Sequence, residues 1–173
     1  GTIILVPAEP NPLPAVGTKV TQSLNWERRH RHMRVHTALH LLSVVIPLPV
    51  TSGSIGAEKG RLDFDMPDAI ADKAALENTL NELIDCDFDI STEWIDESEL
   101  AANPELVKTM SVAPPKGAGR IRMVRIGAAE NTADYQPCGG THVRNTSEIG
   151  RIRFGKVEKK GKQNRRVYLH IDK

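Results

Sequence analysis

Apolar and polar positions recur along this chain with two different periods, and each change of period marks a new element. From about Glu27 to Ile46 the residues Met33, Leu39, Leu42, Val45 and Ile46 return at helical spacing, and Pro47 cannot continue the run. A first helix is predicted there. "VTSGSIGAEKGRLDFDM" reads as two strands joined at a glycine-bearing turn, with Leu62, Phe64 and Met66 alternating against Arg61, Asp63 and Asp65. That alternation implies one wet face. Pro67 and Asp68 open a second predicted helix, with Ile70, Ala74, Leu76, Leu80, Leu83 and Ile84 as its buried stripe and an end near Asp85.

Beyond it, "FDISTEWI" alternates as a strand, and "DESELAANPELV" is short helical or irregular. "RIRMVRIG" is a further strand with Ile121, Met123 and Val124 inward, followed by a loop that contains "DYQPCGGTH". Arg151 to Val157 and Arg166 to Ile171 are read as closing strands around the basic turn "EKKGKQNR". At the other end, Gly1 to Val6 and Thr18 to Leu24 read as short strands around "PAEPNPLPAVG", whose four prolines in eleven residues exclude helix and central strand. The predicted class is α+β, with two main helices packed on a mostly antiparallel sheet behind a small β appendage.

With 173 residues, 39% of them hydrophobic, the chain can bury one substantial core and at most a small annex. The apolar run Leu41 to Val50 is broken by Ser43, Pro47 and Pro49 and falls short of the roughly 18 residues of a membrane span. Gly1 to Val6 lacks a basic leader, so no secretory signal is expected in it. Cys86 and Cys138 are too few for a disulfide framework, which makes a reducing cytoplasm the default. The formal charge of +1 hides an asymmetry: residues 63 to 105 hold 14 Asp/Glu against Lys73, and residues 151 to 173 hold nine Lys/Arg against Glu158 and Asp172. Such a tail suits a phosphate backbone or a solvated face.

The chemistry concentrates in two short motifs. His36 and His40 stand four residues apart within the first predicted helix, which puts both imidazoles on one face about 6 Å apart. A pair of core histidines would look the same, and His32 continues the spacing. Some ninety residues later "CGGTH" repeats the interval with Cys138 and His142, and Gly139 and Gly140 let the backbone between them turn sharply. Three imidazoles and a thiolate suit one Zn²⁺ ion. Cys86, between Ile84 and Phe88 in the neighbourhood of no histidine, reads as a small buried residue. Thr37 and Ala38 leave no HExxH, so zinc-peptidase chemistry is not expected. A Cys138 nucleophile with His142 as base is disfavoured because metal ligation would occupy the thiolate.

"RRHRHMRVHTALHLL", "GSIGAEKGRLDFDM", "CGGTHVRNTSEIGRIRF" and "NRRVYLHI" together resemble the editing domain of alanyl-tRNA synthetase, and especially the free-standing alanyl-tRNA editing proteins of the AlaX type. The likeness runs from about Val16 to Lys173, and its last part corresponds to the second additional domain shared by threonyl- and alanyl-tRNA synthetases. It implies a zinc site at His36, His40, Cys138 and His142 and hydrolysis of the ester of Ser-tRNA(Ala), with Gly-tRNA(Ala) as a further substrate. It also implies that residues 1–25 are part of a small barrel and residues 26–173 the zinc-binding editing domain. Two positions depart from the synthetase-embedded pattern: Leu39 replaces a common Thr, and Thr51 and Ser52 stand where a Gln often precedes Gly-Ser.

A site that hydrogen-bonds a substrate hydroxyl rejects the analogue lacking it by about 10⁴ to 10⁵, so editing serine against alanine uses the strong direction of discrimination. Thr37, Thr51, Ser54, Gly139, Gly140 and Thr141 are the candidate pocket residues. Arg28, Arg29, Arg31, Lys159, Lys160, Lys162, Arg165 and Arg166 are the candidates for the tRNA acceptor end. With only seven Phe, Trp and Tyr, recognition is expected to fall on phosphates and riboses rather than on stacked bases. Editing of Ser-tRNA(Thr), in the manner of threonyl-tRNA synthetase, and a non-catalytic zinc-stapled RNA-binding module are the alternatives. No membrane partner is expected, and the sequence leaves the oligomeric state open.

Overall fold

Asn25 starts the first helix by accepting a hydrogen bond from Arg28 N on its side-chain oxygen, and α1 then runs Trp26–Val45 to the stop imposed by Pro47. The computed structural model describes residues 4, 6, 7, 9, 10, 12–110, 117 and 119–172. The second half of α1 is buried almost all round: Val35, Thr37, Ala38, Leu39, His40, Leu41, Leu42 and Ser43. A helix buried on every side lies between layers rather than on top of one.

Its surroundings are two antiparallel sheets. The first takes β1 (Val50–Ile55), β2 (Lys59–Asp65), β6 (Ile152–Lys160) and β7 (Asn164–Ile171) in the order β1-β2-β7-β6; the second takes β3 (Ile90–Asp96), β4 (Arg120–Ala128) and β5 (Asn131–Pro137). The sequence led us to expect one sheet. Gly60 lets α1 lie close on the larger one: a Cβ there would meet Val35 Cγ1 at 2.5 Å and Leu39 Cδ1 at 3.0 Å. β4 is buried on both faces, with Ile126 in the main core under α1 and Ile121 and Met123 in a satellite core with Ile95 and Leu100. That explains why Ile121, Met123 and Val124 are all buried.

Both edges of the larger sheet are covered. α2 (Lys73–Asp85), capped by Asp72, lies along β6, where Asn81 accepts from Ile152 N and donates to Ile152 O, and Glu77 accepts from Phe154 N. These side chains satisfy an edge that would otherwise present bare backbone groups. At the other edge, Val50 N donates to Lys108 O and Met110 N to Val50 O, so the segment after α3 (Glu97–Ala102) adds a short parallel bridge to β1.

Several expectations need correction. Residues 18–24 are exposed and carry no regular secondary structure, and the strand expected over Gly1 to Val6 lies largely outside the described residues. The second helix begins at Lys73 rather than Pro67, because Asp72 supplies the cap. Asp63 is not on a wet face: it is buried between Arg61 and Arg166. Cys86 is exposed, at the C-cap of α2. The segment before the CGGTH motif is a strand, β5, whose pattern is inverted, since Asp134 and Gln136 are the buried positions.

Asn81 holds both backbone groups of Ile152 in a dry setting, so Asn81→Ala strands a buried N–H and a buried C=O. Urea unfolding is expected to show a loss of about 2–4 kcal/mol, with the slope against urea unchanged.

Candidate metal centre

α1 carries His36 and His40 one turn apart, and the loop leaving β5 carries Cys138 and His142 over them. The ring centroids of His36 and His40 stand 5.1 Å apart, those of His36 and His142 4.2 Å, and those of His40 and His142 4.6 Å. Cys138 Sγ lies 3.5 Å from His36 Nε2 and 3.4 Å from His142 Nε2, and the four candidate donor atoms are all within 4.8 Å of one another. Around a tetrahedral ion with bonds of about 2.0–2.3 Å, donors stand about 3.3–3.8 Å apart. The four residues fit a metal ion.

What aims them is the far side of each ring. His36 Nδ1 faces the Thr141 carbonyl at 3.1 Å, which can only accept, so Nδ1 carries the proton and Nε2 presents its lone pair. His40 Nδ1 faces the Asp134 carboxylate at 2.9 Å and donates to it, so Nε2 is the nitrogen turned toward the cluster. His142 Nδ1 faces Thr37 Oγ1 at 3.1 Å; that hydroxyl gives its one proton to Met33 O and accepts from Val143 N, so toward His142 it accepts again. Three outer partners therefore turn three Nε2 atoms toward one thiolate. Such partners typically matter 10–100-fold in metal affinity.

The outer layer is itself held. Asp134, 2% exposed, also accepts from Lys108 Nζ at 2.5 Å and Gln136 Nε2 at 2.7 Å. Arg122 Nη1 donates to Cys138 O at 2.7 Å and to Gly140 O at 2.9 Å, fixing the loop. Gly140 presses against a ligand: a Cβ there would stand 2.3 Å from His36 Cε1.

These contacts displace the ionisations strongly. Burial alone would raise the Cys138 thiol, but the close imidazoles of His142, His36 and His40 outweigh it and bring it down to about 3. Burial alone would lower His40, but hydrogen bonds to Asp134 and Cys138 outweigh it and push it up to about 9. His142 is brought down to about 4 by burial and by the neighbouring imidazoles. Burial disfavours the Asp134 carboxylate, yet His40 and Lys108 hold it at about 2. At neutral pH the metal-free cluster thus sets the Cys138 thiolate against the His40 imidazolium.

A cavity of about 860 Å³ opens beside the cluster, between β1 on one side and β3–β4 on the other. Of the residues expected in the pocket, Thr51, Ser54 and Gly139 line it; Thr37, Gly140 and Thr141 do not, and instead hold ligands from behind. Ser43, Ser52, Lys108, Arg122 and Gln136 line it unforeseen. The expected tRNA residues divide. Arg28, Arg29, Lys159 and Lys162 are exposed, whereas Arg31 pairs with Glu27 and Lys160 with Glu158. Arg165 donates to the carbonyls of Pro67 and Asp68, and Arg166 makes a two-pronged pair with Asp63.

Residues 121–168, which contain Cys138 and His142, match the family described as Threonyl and Alanyl tRNA synthetase second additional domain. Over 160 residues the chain is 32% identical to an alanyl-tRNA editing protein AlaX-M of Methanosarcina acetivorans, an alignment covering 90% of this chain and 64% of that protein. The AlaX-M protein of Saccharolobus solfataricus is 35% identical over 162 residues, again 90% of this chain and 65% of the relative. Over most of its length this chain is similar to proteins named for alanyl-tRNA editing. The alanine–tRNA ligase of Pyrobaculum aerophilum is 32% identical over 155 residues, 84% of this chain but 17% of that enzyme. The chain therefore spans just under two thirds of the AlaX-M proteins and a small part of the ligase. Among the described residues, no helix is long and apolar enough to cross a membrane.

Two predictions follow the geometry. Gly140→Ala must push the His36 ring aside, and metal affinity, read by competition with a chromogenic chelator, is expected to fall at least about tenfold. Because His40 is protonated below about 9 when no metal is bound, a metal must expel that proton. Calorimetry in buffers of different ionisation enthalpy should give about one proton released per ion near pH 7, and affinity should weaken as pH falls.

Proposed function

We propose that this chain is a trans-acting hydrolase that cleaves the ester of Ser-tRNA(Ala), and of Gly-tRNA(Ala) as a second substrate, in the cytoplasm and without ATP. The observation that carries this reading is the His36–His40–Cys138–His142 cluster, three of whose residues, His36, His40 and Cys138, line a cavity whose opposite strand is rich in hydroxyls. Its likeness to proteins named for alanyl-tRNA editing supports the same reading. His36, His40, Cys138 and His142 would hold one Zn²⁺, which supplies an electrophilic centre able to orient the amino or hydroxyl group of the aminoacyl moiety.

The remaining work falls to the chain itself. Ser52 and Ser54 on β1 line the cavity and offer hydroxyls of the kind that a serine side chain can satisfy and an alanine side chain cannot, while the hydroxyl of Thr51 beside them donates to Asp63 O. Gly140 N–H is engaged by Cys138 Sγ at 3.4 Å, which leaves the N–H of Gly139, a cavity-lining residue, to polarise the ester carbonyl. Ester hydrolysis is downhill and needs no coupled nucleotide. The acceptor end of tRNA(Ala) is the partner, drawn in by the exposed cations of the α1 N-terminus and the β6–β7 turn.

Purified protein incubated with Ser-tRNA(Ala) is expected to release serine and to leave Ala-tRNA(Ala) intact, with activity lost on chelation and restored by Zn²⁺. Preferential cleavage of Ser-tRNA(Thr) would move the substrate to the threonine side. Failure to cleave any of the three by metal-loaded protein that binds tRNA would make the cluster a structural staple. Thr37→Val keeps the shape of the side chain but frees the His142 tautomer, and should lower metal affinity and kcat/KM together by about 10–100-fold.

A further inference from the structure

In the proposed substrate one ribose separates the ester from the 3′-terminal base, so whatever holds that base must share the cavity that holds the ester. Among the described lining residues of the cavity, Trp94 is the one Phe, Tyr or Trp. Its side chain is 56% exposed although it sits on a strand with a buried neighbour, Ile95. Such exposure of an indole inside a cavity is costly in water and useful to a ligand with a flat apolar face.

Its neighbours point to which ligand. Trp94 and Arg122 are direct cross-strand partners, so both project from one face of the β3–β4 pair, and Arg120, two residues earlier, projects from that face too. Arg120 Nη2 donates to Trp94 O at 3.2 Å, and neither Arg120 nor Arg122 has a carboxylate within ion-pair distance among the described residues. Lys108, by contrast, is neutralised by Asp134. Asp96 stands opposite Arg120 across the two strands without an ion pair, so the indole lies beside two guanidiniums that no carboxylate engages among the described residues, the combination that suits a nucleotide: a base to stack and a phosphate to pair. Trp26, the other tryptophan, is already stacked on His30, which pairs with Glu148. No ring or cation stands over Trp94 among the described residues.

We propose that Trp94 is the stacking platform for the 3′-terminal adenine of the aminoacyl-tRNA and that Arg120 receives the phosphate preceding it. The ester then enters the cavity toward His36 and Cys138. This rests on the deacylase reading. It also revises the expectation that stacking contributes little: few aromatic residues are present, but one is in the right place.

Two readouts test it on the whole, metal-loaded chain. Loss of a stacked base costs ground-state binding, so Trp94→Ala is expected to raise KM for Ser-tRNA(Ala) at least about fivefold with kcat changed less, and Trp94→Phe to restore KM to within about threefold. Independently, tryptophan emission is titrated with uncharged tRNA(Ala) ending in CCA and with the same tRNA lacking its terminal adenosine. Quenching by the first alone, absent in Trp94→Phe, supports the platform. Equal quenching by both, or none by either, overturns it, as does an unchanged KM in a folded Trp94→Ala. If that variant does not fold, the quenching experiment on the native chain decides. A native chain that hydrolyses Ser-tRNA(Ala) but whose emission ignores the terminal adenosine sinks the platform alone; one that shows adenosine-dependent quenching but no hydrolysis keeps the platform and sinks the deacylase reading.

Discussion

Everything at this site depends on three hydrogen bonds made by the wrong side of three imidazoles. A histidine can present either ring nitrogen, and only a partner on the other one settles the choice. Here the partners are chemically different and come from different elements: a loop carbonyl at Thr141, a carboxylate on β5 at Asp134, and a helix hydroxyl at Thr37 that has already spent its proton on Met33. Each can only accept. The consequence is a cluster whose three Nε2 atoms face one sulfur before any ion arrives, and whose buried charges are compensated by the Cys138 thiolate against the His40 imidazolium.

The fold can be read as the means of bringing those partners together. α1 runs through the middle of the molecule because two sheets and α2 cover it, and Gly60 allows the helix to approach β2 closely. β5 then places Asp134 behind His40 and ends just before Cys138, while Arg122 on β4 ties down the carbonyls on either side of the glycine pair. The Lys108 segment closes the circuit. It bridges to β1 through its backbone and reaches Asp134 through its ammonium, so one short stretch joins the cavity wall to the support of a ligand. Cavity and cluster are therefore one construction.

How much of this was legible beforehand follows from what kind of signal each residue sends. The four donors were visible because helical spacing and a glycine pair give local patterns, and the helix of His36 and His40 follows from its apolar period and Pro47. Two strands of the second sheet, β3 and β4, were legible as alternating runs, but β5 was hidden: it buries Asp134 and Gln136, so its alternation runs opposite to the rule that reads apolar as inward. Thr37 stood out by its place in the motif, yet its role is to orient His142 rather than to line the pocket. Arg165 and Arg166 looked like phosphate ligands from their charge alone; Asp63, about a hundred residues earlier, occupies Arg166, and the carbonyls of Pro67 and Asp68 occupy Arg165. Trp94 sends no local signal at all, since its meaning comes from Arg120 and Arg122 on the neighbouring strand.

The convergence of three Nε2 atoms is the claim on which the rest stands, and imidazole nitrogen chemical shifts read it directly. In protein loaded with Zn²⁺, long-range proton–nitrogen correlation spectra are expected to show His36, His40 and His142 all protonated at Nδ1 and metal-bound at Nε2. A proton on Nε2 of any one of the three, or a metal on any Nδ1, would contradict it.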